Sequence, residues 1–337
     1  MKSKILIIGD SHPSSLECMY YWSLKKIYPK VLFYDPFKNI RNFLRKRFLT
    51  RIFSIFINFI FILKIKRYLK KSSNISNIIF FKGEHLNINF IKYLKKKFYI
   101  TNIMTDDPFF NQNKINKKLI EHIHFFDLYL VWSKNIKTKI IKHKFLNNQN
   151  VFYLPFAYSN RYRRKNYTNM NTIDKFLFYG SWDTKREELL SKINNKKIDI
   201  YGNGWEKASA EFKKKFIISY HDVYGKKLSN FISSYKLCIN LDREQVGNAI
   251  NMRVFEVIGY GGCLVTKENK EIKNFFKRNK HYISFKNIKH LSKILNSNLN
   301  LSLINKIKKN SLKVSLHHNY INRSKYIIRR LELKKMI

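Results

Sequence analysis

Short apolar runs and helical patterns alternate along this chain of 337 residues, in two successive sets. Such runs, several of which end in glycine, are typical of buried parallel strands. The first set of predicted strands comprises Lys4–Gly9, Val31–Tyr34, Asn77–Phe81, Tyr99–Met104, Leu128–Trp132 and Val151–Pro155. The second set comprises Phe176–Gly180, Ile198–Gly202, Lys236–Leu241, Cys263–Thr266 and His281–Phe285. The alternation predicts an α/β chain with two Rossmann-like, doubly wound domains that face each other across a cleft.

Residues 155–174 break this pattern and are rich in Tyr, Arg, Asn and Thr, which indicates a linker. We therefore expect a first domain over residues 1–160 and a second over residues 172–315.

Helix starts are predicted from two capping boxes. One is formed by Ser14 with Glu17, and the other by Thr184 with Glu187. The second box would give Glu187 a structural role.

The charge is strongly unbalanced, with 67 basic against 22 acidic residues and a formal net charge of +45. Such a balance suggests a nucleic-acid or anionic-membrane partner. Abundant Lys, Asn, Ile, Phe and Tyr are also what an AT-rich genome would produce. The lysines are dispersed, and no RNA-binding motif or zinc-ligand spacing accompanies them. Nucleic-acid binding is therefore the less favoured interpretation, while anionic lipid or an acidic glycan fits the charge equally well.

The segment Asn42–Lys71 has an apolar run, Ile52–Leu63, between basic clusters. This run is shorter than the roughly 20 residues that cross a bilayer. The segment could lie in the headgroup plane of an anionic membrane, or form a core helix of the first domain. Membrane contact is favoured because apolar residues occupy nearly every side of the predicted helix.

Three isolated cysteines, Cys18, Cys238 and Cys263, are typical of a reducing compartment. The apolar run in the opening MKSKILIIGDS is too short for the core of a signal peptide, and it is predicted to form a strand. We expect a cytoplasmic protein that could associate with the inner face of the membrane.

The stretch MRVFEVIGYGGCLVT, Met252–Thr266, predicts a short helix with Asn251 as N-cap. Helix N-termini attract phosphate, so Arg253 in the first turn could neutralise a diphosphate. Glu256, one turn further on, could accept hydrogen bonds from ribose hydroxyls. The alternative, which spacing alone slightly favours, is an ordinary surface pair on a helix.

Ligands of parallel sheets bind at the carboxyl ends of the strands, so the residues that follow strands are candidate contacts. In the first domain they are Gly9, Asp10, Ser11 and His12. In the second domain they are Gly180, Ser181, Gly202, Asn203, Gly204 and Trp205. His12 could contact a substrate or be a bystander, and Trp205 could stack on a base or close the core. Arg186, in the helix after Ser181, could reach a phosphate.

Asp106 and Asp107 follow a predicted strand in the segment TDDPF. Adjacent carboxylates in this position are candidates for a base that activates an acceptor. The alternative is a turn set by Pro108 in which one aspartate caps the backbone.

Met252–Thr266 resembles the donor-site signature of glycosyltransferases with the GT-B fold, specifically the spore-maturation, CgeB-like branch of the group 1 families. Further stretches resemble that branch in the same order: Phe178–Leu190, Ile198–Trp205, Val223–Leu241 and His317–Ile328. The N-terminal half is similar only in its glycine-ended first strand and in Thr105–Phe109.

This resemblance implies a nucleotide-sugar donor bound by the second domain, and a C-terminal helix, residues 316–337, that crosses back to pack on the first. Many retaining members of the wider group carry two glutamates separated by seven residues. The first of these positions is Asn248 here. Its amide can hydrogen-bond a sugar hydroxyl but carries no charge.

No Asp-x-Asp motif occurs in the sequence, so the metal ligands of GT-A glycosyltransferases are missing, and we expect neither metal nor cofactor. The resemblance implies sugar transfer to a cell-surface glycan, lipid-linked sugar or protein acceptor with retention of configuration, and the missing motif predicts that no metal takes part. A non-catalytic sugar- or nucleotide-binding relative and a basic nucleic-acid-binding protein are the alternatives.

Overall fold

The computed structural model describes residues 3–40, 53–111, 113–164, 172–195 and 197–334. The chain divides into two compact units, Met1–Pro155 with Ile321–Ile337, and Phe156–Tyr320. Within the described residues, each unit has one six-stranded sheet, and all pairings between its strands are parallel. The predicted α/β class with two doubly wound units is thereby confirmed.

The first unit has the strand order β2-β1-β3-β4-β5-β6. Its strands are β1 (Lys4–Ile8), β2 (Val31–Tyr34), β3 (Ile75–Phe81), β4 (Tyr99–Met104), β5 (Leu128–Val131) and β6 (Val151–Tyr153). Its helices are α1 (Leu16–Ile27), α2 (Ser54–Lys71), α3 (Ile88–Lys95), α4 (Lys114–His122) and α5 (Lys134–Lys142). The central strand β1 is apolar and fully covered, with Ile5, Leu6 and Ile7 at 0% exposure, as expected for a strand with helices on both faces.

The cap of α1 differs from the sequence prediction, and the predicted helix over residues 42–71 is only partly described. The cap of α1 is Ser15 rather than Ser14, because the Ser15 hydroxyl accepts from the amide of Cys18 at 3.0 Å. Ser14 lies one residue too early, and its Oγ hydrogen-bonds His12 Nδ1 at 2.7 Å. Of the predicted helix over 42–71, residues 42–52 lie outside the described residues. In the described part of the chain, no helix is long and apolar enough to cross a membrane.

The second unit has the strand order β12-β11-β10-β7-β8-β9. Its strands are β7 (Ile173–Tyr179), β8 (Ile198–Tyr201), β9 (Ile217–Ser219), β10 (Tyr235–Asn240), β11 (Leu264–Lys267) and β12 (Tyr282–Phe285). Its helices are α6 (Thr184–Ser191), α7 (Ala210–Lys215), α8 (Gly225–Ser234), α9 (Met252–Gly259), α10 (Ile288–Asn296) and α11 (Leu301–Ser315). A last helix, α12 (Tyr320–Leu333), starts at the boundary and belongs to the first unit from Ile321 onward.

Edge strand β9 and the cap of α6 were not anticipated by the sequence patterns. β9 has only three residues, and its Ile217 is exposed, so it lacks the buried apolar run that identifies a strand. The cap of α6 is Asp183, whose Oδ1 accepts from the amide of Arg186 at 2.9 Å. Thr184 is the first helical residue, so the predicted capping box with Glu187 is wrong.

Candidate functional site

The candidate site lies where the strand order of the second sheet reverses. From β7 the chain adds β8 and β9 on one side, and then β10, β11 and β12 on the other. Open parallel sheets bind ligands outside the carboxyl ends of their strands at such a switch point. Here that point is between β7 and its neighbour β10, and it is bordered by residues 180–183 and 241–251.

The N-terminus of α9 faces this switch point. Asn251 caps the helix, because its Oδ1 accepts from the amide of Val254 at 3.3 Å. The guanidinium of Arg253 lies 5.8 Å from the ring centre of Tyr179, and a Cβ at Gly180 would overlap it. The structure thus brings together Gly180 and Arg253, which are 73 positions apart in the sequence.

Glu256 is buried directly behind Arg253, with 5% of its surface exposed. The hydroxyl of Tyr179 donates to Glu256 Oε2 at 3.1 Å. Burial raises the pKa of Glu256 to about 7, although Tyr179 and Arg253 both oppose the rise. Tyr179 was missed by the sequence analysis, and the only signal for it is its position before a glycine at the end of a strand.

A polar network fixes the loop between β10 and α9. Asn251 Nδ2 donates to Asn240 Oδ1 at 2.8 Å and also to Asp242 Oδ1. Asn240 Nδ2 in turn donates to Thr266 Oγ1 at 3.0 Å on the neighbouring strand. Burial raises the pKa of Asp242, against the hydrogen bonds from Asn240 and Asn251 and the charges of nearby arginines. The network holds the first turn of α9 in place beside β10.

Arg186 is predicted to reach a phosphate, but it is buried, with 1% of its surface exposed. Its Nη1 donates to the carbonyl of Ser181 at 2.9 Å, and its Nη2 to the carbonyl of Leu241 at 3.2 Å. Burial and the neighbouring Arg253 lower its pKa to about 9. Arg186 therefore ties the loop after β7 to the loop after β10.

Of the three arginines at this edge, only Arg253 has no carboxylate within ion-pair distance among the described residues. Asp183 Oδ2 lies 3.5 Å from Nε of both Arg186 and Arg243. Arg253 makes no such pair and is only half-buried. Its positive charge, together with the amides of the first turn of α9, is thus available to an anion.

The loop after β8 contains four of the predicted site residues, residues 202–205, and it packs against the loop after β7. Trp205 is fully buried, donates from Nε1 to the carbonyl of Gly180 at 2.8 Å and stacks on Phe212. Of the two roles considered for Trp205, the structure shows core closure rather than a face for a base. Asn203 is exposed and donates to Asp222 Oδ2, and Gly204 has a φ of +89°.

Gly202 is the point at which two strand-end loops meet. Its φ is +146°, and an added Cβ would overlap the carbonyl oxygen of Gly180. We expect Gly202→Ala to lower the free energy of unfolding by about 2–4 kcal/mol, since strain and a backbone clash add. The matched control is Gly247→Ala, with a φ of +55° and no atom within 4 Å, which carries backbone strain of about 1–3 kcal/mol without a clash and should cost less than Gly202→Ala. Urea unfolding measures both, and equal losses would contradict the close approach.

Asn248 is exposed in the loop before α9. It lies three residues before the cap Asn251, on the segment that the polar network holds against β10.

The candidate residues of the first unit also lie at a switch point, between β1 and β3. Gly9 follows β1, and an added Cβ would overlap the side chain of Glu17, whose burial raises its pKa to about 7. Asp10 Oδ1 accepts from the amide of His12 at 2.7 Å. Ser11 donates from Oγ to Asp35 Oδ2 at 2.6 Å.

The two aspartates of TDDPF have different surroundings. Asp106 pairs with Lys82 at 2.7 Å, which places it beside the loop after β3. Asp107 is 8% exposed, and its Oδ1 accepts from the amide of Phe109 at 2.8 Å. Asp107 therefore makes the turn that was the alternative interpretation, while Asp106 stays half-exposed in the loop after β4, paired with Lys82. In the described parts of the chain, no cluster of three or more His, Cys, Asp or Glu residues could hold a metal ion.

Comparison with known families places a match in the second half of the chain. Residues 185–329 match the model of a family described as glycosyl transferase-like. This match covers somewhat less than half of the chain and includes Arg253 and Glu256. No curated protein matches the sequence.

Solved structures match over nearly the whole chain at low sequence identity. HepE from Anabaena, in complex with UDP, has a TM-score of 0.66 at 11% identity, with 98% of this chain and 99% of that chain covered. Sucrose-phosphate synthase from Thermosynechococcus elongatus has a TM-score of 0.70 at 10% identity, with the same coverage. A point mutant of TarM from S. aureus, in complex with UDP, α-GlcNAc-glycerol and fondaparinux, has a TM-score of 0.58 at 14% identity, with 80% of this chain and 58% of that chain covered. At these identities the likeness shows the fold, and that fold is the GT-B type found in glycosyltransferases.

Proposed function

We propose that this chain is a glycosyltransferase whose second unit holds a nucleotide-sugar donor. The observation that carries the proposal is the pair formed by Arg253 and Glu256 at the switch point. A half-buried guanidinium without a carboxylate partner in the described residues stands one helical turn before a buried carboxyl. A sugar nucleotide offers the matching groups, a diphosphate anion and ribose hydroxyls that donate.

The comparisons support this assignment from an independent direction. The family match spans the α9 segment that carries both residues. HepE, which is similar in fold, has been solved with UDP and glucose and with UDP-glucose. The order of segments that resemble the CgeB-like branch leads us to place the chain in that branch.

The proposed reaction forms a bond between an acceptor hydroxyl oxygen and the anomeric carbon, while the bond from that carbon to the diphosphate breaks. Negative charge develops on the departing diphosphate, where Arg253 and the amides of α9 stabilise it. We propose that no metal takes part and that configuration is retained, with the donor phosphate taking the proton from the acceptor. Asn248 would contact the sugar as a neutral hydrogen-bonding group.

The acceptor is proposed to bind at the switch point of the first unit. Asp10, His12 and Asp106 supply polar side chains there, and Lys82 holds Asp106 in place. Its chemical class is a cell-surface glycan, a lipid-linked sugar or a protein.

The proposal is tested by a thermal-shift screen with UDP-, GDP-, ADP- and CMP-sugars. A donor at a hundred times its dissociation constant should stabilise the protein by about 2.7 kcal/mol. Release of the nucleotide in the presence of acceptor, as a nucleoside diphosphate or, from a CMP-sugar, as CMP, then separates an enzyme from a binding protein. Stabilisation without turnover would leave only binding. No response to any of the four, with strongly salt-dependent binding of RNA or DNA instead, would overturn the proposal.

A further inference from the structure

The outer face of α2 exposes large apolar side chains. The inner side of this helix is formed by Ile57, Phe61 and Ile65, which recur every four residues and are buried. On the other side Ile55 is 85% exposed, and two phenylalanines, Phe56 and Phe59, are 59% and 57% exposed. Water therefore contacts three large apolar side chains on two adjacent turns.

The same face becomes basic towards the end of the helix. Lys66 and Lys70 follow Ile55 and Phe59 by eleven residues each, which is about three helical turns and places them on the same side. Arg67 is exposed beside them. The outer face of α2 is thus apolar in its first half and cationic in its second half.

The inner side fastens α2 to the first unit. Asn58 Oδ1 hydrogen-bonds His85 Nδ1 at 2.9 Å, and Lys64 Nζ donates to the carbonyl of Pro36 at 2.9 Å. The ring of Tyr68 stacks on Tyr34 with centres 4.2 Å apart. These contacts anchor α2 to the first unit and fix which side of the helix faces outward. The exposed apolar side chains of its first half therefore keep a defined orientation.

We propose that the outer face of α2 docks on an anionic lipid bilayer. In this arrangement Ile55, Phe56 and Phe59 enter the boundary between headgroups and acyl chains, and Lys66 and Lys70 bind the headgroups. Charge complementarity selects this occupant, because the basic half of the face belongs to a chain with a net charge of +45. At 18 residues, α2 is about 27 Å long, and its basic second half keeps it at the surface. This inference does not depend on the proposed glycosyl transfer.

The test is co-sedimentation of the full chain with vesicles. Vesicles of phosphatidylcholine with about one third phosphatidylglycerol should bind the protein at least roughly tenfold more strongly than phosphatidylcholine alone. Phe56→Ser with Phe59→Ser should lower the partition coefficient by roughly tenfold or more. Lys66→Glu with Lys70→Glu should lower it similarly and reduce its dependence on salt.

Controls are chosen to match exposure and charge. Ile115 and Ile217 are 54% and 59% exposed elsewhere on the two units, so Ile115→Ser with Ile217→Ser should bind vesicles like the wild type. Lys207→Glu with Lys214→Glu repeats the charge change on exposed positions of the second unit. The logarithm of the partition coefficient should fall by less than half of the fall caused by Lys66→Glu with Lys70→Glu.

A second readout locates the contact. Cys18, Cys238 and Cys263 are buried, so Ile55→Cys supplies an exposed thiol for an environment-sensitive fluorophore. Its emission should shift to the blue when anionic vesicles are added, while the same label at Ile115→Cys should not respond.

Two results would overturn the proposal. One is vesicle binding that the α2 variants leave unchanged. The other is absence of binding to anionic vesicles by the wild-type chain. A changed oligomeric state in Phe56→Ser with Phe59→Ser would then assign the face to a second copy of the chain. Nucleotide binding, measured without lipid, reports separately on the proposed function.

Discussion

Arg253→Ala should weaken nucleoside diphosphate binding about a hundredfold, or about 2.7 kcal/mol, without unfolding the second unit. Arg253 is the one arginine at the switch point with no carboxylate partner in the described part of the chain. Arg186 and Arg243 both lie near Asp183, and Arg186 donates to two carbonyls as well. A diphosphate therefore loses its main cation when Arg253 is removed, while the loops remain tied.

Isothermal titration calorimetry with the nucleoside diphosphate of the best donor measures this loss. Arg253→Lys keeps the charge but not the planar fork of donors, so its affinity should lie between those of the wild type and the alanine variant. Arg278→Ala is the matched control, because it removes an exposed arginine from the same unit. An unchanged affinity in Arg253→Ala, or an equal loss in Arg278→Ala, would place the diphosphate elsewhere.

The sequence was sufficient for the strands because their apolar runs are continuous. All eleven predicted strands have counterparts in the two sheets, and Leu6 and Ile239 show why, since strands covered on both faces need apolar residues at every position. β9 escaped prediction because it is an edge strand of three residues with an exposed isoleucine. The strand order, which locates the switch points, depends on pairing between distant segments and does not follow from local pattern.

The starts of α1 and α6 were predicted one residue away from where they occur, whereas Asn251 caps α9 as predicted. At α1 two serines are adjacent, and at α6 Asp183 precedes Thr184, so two side chains compete for the same cap. Which one wins depends on the backbone of the preceding loop. At α6 the aspartate caps, and Glu187 is left to accept from the indole of Trp182 at 2.6 Å.

Arg186 and Trp205 are predicted site residues whose polar groups the structure uses for internal hydrogen bonds instead. Arg186 and Trp205 have the residue types of a ligand site, yet both are buried, and their donors bind backbone carbonyls. Residue type alone does not reveal this, because the same guanidinium can bind a phosphate or a carbonyl. The partners of Glu256 and Asn251, namely Tyr179 and Asp242, come from other strand ends and so carried no local signal.

Glu256→Gln should remove a pH-dependent loss of stability of about 3 kcal/mol. The pKa of Glu256 is about 7 in the folded protein, against an ordinary value of 4.5, because burial disfavours the carboxylate. A raised pKa means that the folded state holds the proton more tightly than the unfolded state. The contribution of Glu256 to stability is therefore fully present below pH 4.5, and it is lost as the pH rises through about 7.

Chemical denaturation of both proteins between pH 4 and 8.5 measures the effect as a difference, so that the titration of Glu17, which both share, cancels. The variant should gain stability relative to the wild type as the pH rises, and the difference should level off above about pH 7. Tyr179→Phe removes a hydrogen bond that favours the charged form, and it should move the pH at which the difference levels off to a higher value.

Saturating nucleotide should flatten the dependence of wild-type stability on pH, because ribose hydroxyls that donate to Glu256 stabilise its carboxylate. A difference between wild type and variant that does not change with pH would mean that the pKa of Glu256 is the same in the folded and unfolded states. A nucleotide that leaves the slope unchanged would mean that its ribose binds elsewhere.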